Sequence, residues 1–462
     1  MEENMKNMSL ANIAGACKGI FYGTEEEKKR EVSEITTDSR QVTAGSLFIA
    51  IKGERVDGHD FIEEVFEKGV LCIISEQRLS EAAGAYILVE SSLQAVKDIA
   101  EFYRQQLDIK VIGITGSVGK TSTKEVIAAV LSEKYRVLKT LGNFNNELGL
   151  PLTIFRLRED DEVAVLEMGI SDFGEMHRLS KIAKPDICVI TNIGECHLEC
   201  LKDRDGVLKA KSEIFDYLAK TGKVILNGDD DKLATIKEVK GIPVTHFGIE
   251  TVRAVHATEI KMQGLAGISC ELHAENEKVK VLIPIPGYHM VLNALAGAAV
   301  GKSLGLSMTE IKSGIEKLES LGGRFHLIET GKITIIDDCY NANPTSMKAS
   351  LDVLKEATHR KIAILGDMFE LGENTSYLHE TVGVKAAKNK IDLLVCVGDM
   401  SKHIAQAAVK AGGCKEVVAL KDLEDLRLHL PKLIRVQDTI LVKASHGMHF
   451  EHVVAELEKL AL

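Results

Sequence analysis

Short apolar runs and longer apolar stripes take turns along the chain. Residues 110–114 form a run of β-branched and apolar side chains, the pattern of a strand buried on both faces. After Thr121 the spacing changes to a helical stripe, with Val126, Ile127, Val130 and Leu131 on one side. The same alternation recurs downstream, with strands predicted at 162–167, 186–191 and 223–227. Segments 250–285 read as antiparallel strands, and 287–304 as a helix rich in small residues. Before residue 107 the pattern is shorter. It predicts a strand at 46–51, a helix at 60–68, strands at 70–75 and 85–89, and a helix at 93–106. Beyond Gly322 and Gly323 a third series begins, with strands at 333–337, 361–365, 392–397 and 439–443 and a last helix at 450–460. The fold class expected is α/β in three domains. They are a small N-terminal α/β unit (1–106), a central unit on a mostly parallel sheet (107–321) and a C-terminal Rossmann-like unit (322–462). The two glycines predict a hinge. No internal repeat is visible.

Composition narrows the picture without redrawing it. A chain of 462 residues is too long for one ordinary core. A net charge of −11 argues against a general nucleic-acid binder, although local loops can still hold anionic nucleotides. The 9 cysteines are scattered, residues 1–16 do not form a signal peptide, and no apolar run is long enough to span a bilayer. Reduced thiols in a cytoplasm, with no membrane insertion, are the expectation. The cluster Glu195, Cys196, His197, Glu199 and Cys200 supplies only half of a zinc ligand set.

Chemistry gathers where strands end. Thr115, Gly116, Ser117, Val118, Gly119, Lys120 and Thr121 lie between the first central strand and its helix. This is the layout of a phosphate-binding loop, in which backbone amides and a helix N-terminus cradle phosphate. Lys120 would reach the terminal phosphates and Thr121 would hold Mg²⁺. The strict pattern wants another glycine at the position of Ile114, so the loop is a variant. Glu167 ends an apolar strand, which calls for a metal, a cationic partner or an outlet to solvent. His197 follows another strand, as a ligand or as a loop histidine. Lys211 shares a stripe with Val207, Ile214 and Leu218, whereas Lys209 lies on the polar face with Glu213 and Asp216. An inward lysine either snorkels or, with a lowered pKa, reacts with CO₂ to form a carbamate. In the third unit, Asp337, Asp338, Tyr340, Asn341, Asn343 and Pro344 end a strand. Asp338 and the two asparagines can read hydroxyls or amides, or the string is strand-end turn chemistry with an N-cap at Thr345 or Ser346. Asp367 and Glu370 either act chemically or order their own turn.

These strings together resemble the Mur ligases, the ATP-dependent amino-acid ligases of bacterial cell-wall synthesis. The matching motifs are Thr37-Asp38-Ser39-Arg40 and Asp57-Gly58-His59, the variant loop, and Gly142-Asn143-Phe144-Asn145-Asn146-Glu147. Further on come Glu167-Met168-Gly169, Ala210-Lys211-Ser212-Glu213, the 337–344 string and the 366–372 string. The last two resemble the branch that joins D-alanyl-D-alanine to UDP-N-acetylmuramoyl-tripeptide. The resemblance implies ligation through an acyl phosphate, with ATP held by residues 115–121, Asn293, Arg324 and Asp338. It implies two Mg²⁺ sites built from Thr121, Glu167, His197 and a carbamylated Lys211, with Lys120, Lys211 and His197 as the catalytic set. Substrate contacts fall to Ser39, Arg40, Asp57, His59, Asn143, Asn146, Tyr340, Asn341 and Asn343. A monomer is expected. Two departures stand out: Met290 where the family helix carries asparagine, and His446 where a late string carries arginine. A folyl- or cyanophycin-type amide ligase, or a nucleotide-binding switch, would share the loop. The switch would have no use for Glu167, His197 and an inward Lys211 together.

Overall fold

The computed structural model describes residues 5–79 and 84–460; the expectations for residues 1–4 lie outside that range. Among the described residues the strands assemble into sheets of five, ten and six strands, one for each predicted unit. The central sheet matters most. Its parallel core runs Ile242–Gly248, Lys223–Asn227, Ile187–Ile190, Lys110–Thr115, Val163–Glu167, Val137–Lys139. Strand Lys110–Thr115 therefore has its later neighbours on both sides, and connections leave it in opposite directions. Such a switch point opens a crevice at the carboxyl ends of the strands, where ligands bind in open α/β sheets.

Strands Val255–Met262, Ile268–Ala274 and Glu277–Ile283 extend the sheet, the last two antiparallel to their predecessors, as the alternation in 250–285 predicts. Glu277–Ile283 is the outer edge. There the Leu282 backbone N–H donates to Glu316 Oε1, 3.1 Å away, on helix Met308–Glu316. The third sheet is parallel except for an added antiparallel edge strand, His326–Glu329, which the sequence reading missed together with Glu416–Leu420. Strands Val137–Lys139 and Ile242–Gly248 were missed as well. All four are edge or partly exposed strands whose burial patterns lack a clean apolar run.

Two apolar cores flank the central sheet. On one face Val126, Ile127 and Val130 of helix Lys120–Leu131 pack with Leu295 and Ala298 of helix His289–Ser303. The small residues foreseen in 287–304 are what allow that approach. The other face is continuous with the first unit. Ile99 and Tyr103 of helix Ser92–Arg104 share a core with Leu157 and Leu179. Tyr103 Oη donates to the Leu157 carbonyl at 2.6 Å and Arg104 Nε to that of Ala183 at 3.1 Å. The strand-end crevice is thus fixed from below on both faces.

Candidate functional site

The phosphate loop keeps its shape through glycine and a clamp from the next strand. A Cβ on Gly116 would lie 2.0 Å from Thr191 Oγ1, and Gly119 enters the helix with φ +80. Either position would strain a larger residue. Thr191 Oγ1 and Asn192 Nδ2 donate to the Val118 carbonyl at 2.6 and 2.8 Å, and the Val118 N–H donates to Asn192 Oδ1 at 3.0 Å. Lys120 folds back so that Nζ donates to the Gly116 carbonyl, 2.8 Å away. Ile114, where a glycine was missing, is a buried strand residue; the loop closes without it.

Beside the loop, Glu167 is 2 % exposed. Its two oxygens accept from Thr121 Oγ1 and Asn145 Nδ2, each at 2.8 Å, and among the described residues no cationic side chain pairs with it. Of the three readings for Glu167, an outlet to solvent and a cationic protein partner both fall away. An anionic carboxylate beside a hydroxyl and an amide suits a hard divalent cation. Asn145 was not among the predicted contacts. Asn143 is exposed, and Asn146 spends its side chain accepting from the Leu148 and Gly149 amides. Three asparagines within four positions carry no periodic signal for which one points inward.

Lys211 does point inward, at 1 % exposure, while Lys209 is exposed and lies over Phe173. The helix is shorter than its stripe, ending at Ser212 and continuing as a 3₁₀ turn through Phe215. Leu218 falls beyond both. Among the described residues Lys211 has neither a hydrogen-bond nor an ion-pair partner. Burial, then the charge of Lys120, push its ammonium down to about 8. That excludes a snorkelling lysine. As an ammonium it repels metal ions, and no three His, Cys, Asp or Glu side chains converge as a ready-made cage among the described residues. The residues fit one cation at Thr121 and Glu167 as they stand. They fit a second beside His197 only if the Lys211 amine becomes an anion. Cys196 donates to Ser117 Oγ (3.2 Å) and Cys200 is exposed, so the half set for zinc is not assembled.

His197 sits in left-handed backbone, φ +51, and its Nδ1 lies 2.9 Å from Glu370 Oε2 in the third unit. Burial lowers its pKa; Glu370 opposes that shift, and Lys211 and Lys120 reinforce it. Glu370 and Asp367, undecided between chemistry and turn, now separate. Asp367 ties its loop to the neighbouring strand-end turn by accepting from the Ser401 and Met400 amides, at 2.6 and 3.1 Å.

At the third sheet, Asp338 and Lys443 are both buried and pair at 2.6 Å, with Ser350 Oγ donating to the same carboxylate oxygen at 2.6 Å. Lys443 was overlooked, although it closes an apolar strand just as Glu167 does. Asp337 Oδ2 accepts from the Gly323 N–H at 2.7 Å, tying the predicted hinge to the sheet. Arg324 lies over the Tyr340 ring, 4.1 Å from its centroid, and the His446 ring stands 5.3 Å from it. Asn341 Oδ1 accepts from the Ala342 N–H at 2.9 Å. Asn343, expected to touch substrate, is the N-cap of helix Pro344–Lys355: its Oδ1 accepts from the Ser346 N–H at 2.8 Å in a reciprocal box. Asn293 is buried beneath the loop helix. It accepts from Thr123 Oγ1 at 3.0 Å and donates to Met290 Sδ at 3.2 Å, so both ends of its amide are engaged within the protein.

In the first unit Arg40 is exposed and paired with Asp38, whose carboxyl it holds below the usual range. His59 Nδ1 lies 2.7 Å from Asp57, and its Nε2 accepts from the Glu76 N–H at 3.1 Å. Ser39 opens the 3₁₀ turn Ser39–Gln41. Of these residues Arg40 presents the most exposed charge, its guanidinium held by Asp38. No helix among the described residues is long and apolar enough to cross a membrane.

Three family models match in succession: "Mur ligase family, catalytic domain" over residues 31–113, "Mur ligase middle domain" over 114–301, and "Mur ligase, glutamate ligase domain" over 323–446. The chain is 37 % identical to the UDP-N-acetylmuramoyl-tripeptide–D-alanyl-D-alanine ligase of Bacillus subtilis (strain 168), over 98 % of this chain and 99 % of that one. It is 36 % identical to the enzyme of the same name from Escherichia coli (strain K12), with the same coverage. Among solved structures, MurF from Acinetobacter baumannii superposes with a TM-score of 0.89 at 33 % identity, covering 99 % of this chain and 100 % of that one. MurF from Thermotoga maritima in complex with ADP gives 0.81 at 30 % identity, covering 92 % and 97 %. Sequence likeness over nearly the full length and the shared three-sheet fold lead to one conclusion: the chain belongs to the Mur ligase family.

Proposed function

We propose that the chain is the ATP-dependent ligase that joins D-alanyl-D-alanine to UDP-N-acetylmuramoyl-tripeptide in peptidoglycan synthesis. The observation that carries the reading is the convergence of the phosphate loop, Glu167, His197 and an unpartnered Lys211 at one switch point. The near full-length likeness to ligases of that name supplies the substrates. Three units share the work: 1–106 for the UDP-sugar, 107–321 for ATP, and 322–462 for the acceptor dipeptide.

In the first step the tripeptide carboxylate attacks the γ-phosphorus of ATP, giving an acyl phosphate and ADP. In the second the dipeptide amine attacks the acyl carbon, phosphate leaves, and the amine loses a proton. Two anions must meet in the first step. The amides of Gly119 and Lys120 and the Lys120 ammonium would offset their repulsion, because fixed donors in a water-poor site need no reorganisation. Thr121 and Glu167 would hold Mg²⁺, oriented by Asn145, and Mg²⁺ supplies further charge neutralisation there. The Lys211 amine, poised near neutrality, would add CO₂ with loss of a proton; the resulting carbamate and His197 would hold a second Mg²⁺. Arg324, stacked on Tyr340 at the hinge, is placed to follow the transferring phosphate, with Asp338 and Asn293 supporting the nucleotide region. Arg40, steadied by Asp38, would face the UDP-sugar together with Ser39, Asp57 and His59, and Tyr340 and Asn341 the dipeptide. Closure of the third unit about 322–323 would exclude water from the acyl phosphate. The enzyme would act in the cytoplasm, where ATP is supplied, as a monomer.

Phosphate release tests the proposal. With UDP-N-acetylmuramoyl-tripeptide and ATP, release is expected to depend on D-alanyl-D-alanine. Release that ignores the dipeptide, or that needs a single amino acid and a shorter UDP-peptide, overturns it.

A further inference from the structure

Glu370 leaves its own unit to meet a residue of another. Its Oε2 contacts His197 Nδ1 at 2.9 Å, and both residues adopt left-handed backbone, φ +60 and +51. For a residue with a Cβ that conformation is strained and persists where the surroundings over-determine it. Neither loop needs the contact for its own turn. The 366–372 loop is held by the Met368 N–H donating to His379 Nε2 at 3.0 Å, by the Phe369 N–H donating to Ser445 Oγ at 2.9 Å, and by the buried Leu371. Stability does not explain the contact either. The Glu370 side chain is 64 % exposed, and pairs so open to water add little to stability.

What the contact does fix is a ring. A carboxylate at Nδ1 favours the tautomer with its proton there, which leaves Nε2 with a free lone pair. Among the described residues nothing bonds to Nε2. We propose that Glu370 is a positioning residue for His197. Supplied by the third unit, it sets the tautomer and orientation in which Nε2 can accept a ligand beside the phosphate loop. The inference rests on the ligase reading of this site, and it adds a coupling: the central site is complete only while the third unit is docked on it. Gly372 supports that docking, since a Cβ there would lie 3.9 Å from Glu199 Cγ, two residues after His197.

The test uses the full chain with a non-hydrolysable ATP analogue and Mn²⁺ as the probe, read by electron paramagnetic resonance without dipeptide. Glu370→Ala is expected to weaken Mn²⁺ binding by about 10- to 100-fold, the range for losing a carboxylate behind a histidine ligand. Glu370→Gln, whose amide oxygen still accepts from Nδ1–H, should recover most of the affinity. Adding Glu370→Ala to His197→Ala should cost nothing beyond His197→Ala alone. In turnover, Glu370→Ala should lower kcat and leave KM for the dipeptide unchanged. Wild-type Mn²⁺ affinity in Glu370→Ala, Mn²⁺ binding insensitive to His197→Ala, or losses that multiply in the double variant would each overturn the inference. A chain that releases no phosphate with any dipeptide defeats the ligase reading instead, and the Mn²⁺ cycle still decides the role of Glu370.

Discussion

Lys211 and Lys443 are equally hidden, at 1 % and 3 % exposure, yet they live under opposite rules. Lys443 is neutralised within the protein: Asp338 at 2.6 Å, and the Asn341 carbonyl at 2.9 Å. Lys211 has no partner of its own among the described residues, and the charge that acts on it is that of another cation, Lys120. Glu167 repeats the contrast from the acidic side, with a hydroxyl and an amide where Asp338 has an ammonium. A buried charge left without its opposite is costly unless something arrives to complete it. The third unit's strand-end pair is therefore scaffold, holding the Tyr340–Asn341 loop in place. The central site is a receptor whose electrostatics are finished by its ligands.

That division can be broken in three ways. The largest effect should come from the scaffold. Lys443→Met strands Asp338 in the interior and should destabilise the protein by about 3–5 kcal/mol, read by chemical denaturation. A loss under 1 kcal/mol would mean the pair is not structural. The receptor should answer differently. Lys211→Met should cut phosphate release by on the order of 10²–10³-fold, as removal of one electrostatic contributor does. Its denaturation midpoint should stay level or rise, because an unpaired buried amine is gone. Unfolding like that of Lys443→Met would erase the distinction. The smallest effect concerns pH. His289, against Phe325 and within reach of Asp338 and Lys443, has its pKa pushed down to about 4. Burial is the main cause; Asp338 opposes it and Lys443 reinforces it. Between that value and the ordinary 6.5, the unfolded chain binds a proton that the folded one refuses. Stability therefore falls on acidification through this window, with a slope approaching about 1.4 kcal/mol per pH unit from this group. His289→Gln should flatten that part of the profile, and an unchanged slope would remove His289 from the account.

Sequence legibility followed the same line between receptor and scaffold. Residues 115–121 were readable because strand, glycines and helix onset occur at fixed spacing and depend only on local backbone. Glu167 and Lys211 were readable as charges that interrupt an apolar pattern. Lys443 obeyed the identical rule and was passed over, because one lysine at the end of a strand looks like a solvent contact until Asp338 is brought beneath it by a parallel pairing 105 positions away. Asn145 could not be told from Asn143 and Asn146, since loop residues lack a period. Asn343 carries a local duty that its motif also allowed, since its side chain starts helix Pro344–Lys355. Glu370 was undecidable because its meaning lies wholly in another unit. Local chemistry was legible, whereas contacts between sheets were not.

The edge at Glu277–Ile283 has a consequence for how copies of the chain meet. A sheet of ten strands ends somewhere, and a bare edge offers amides on which a second chain could crystallise its own strand. Here Glu316 takes the Leu282 amide, and the lysines at 278 and 280 are engaged with Glu271 and Glu259. The last rung of the ladder is already stepped on. A newcomer finds charge along the strand and, at Leu282, a donor already occupied, so the edge of the ten-stranded sheet is a poorer template at that rung.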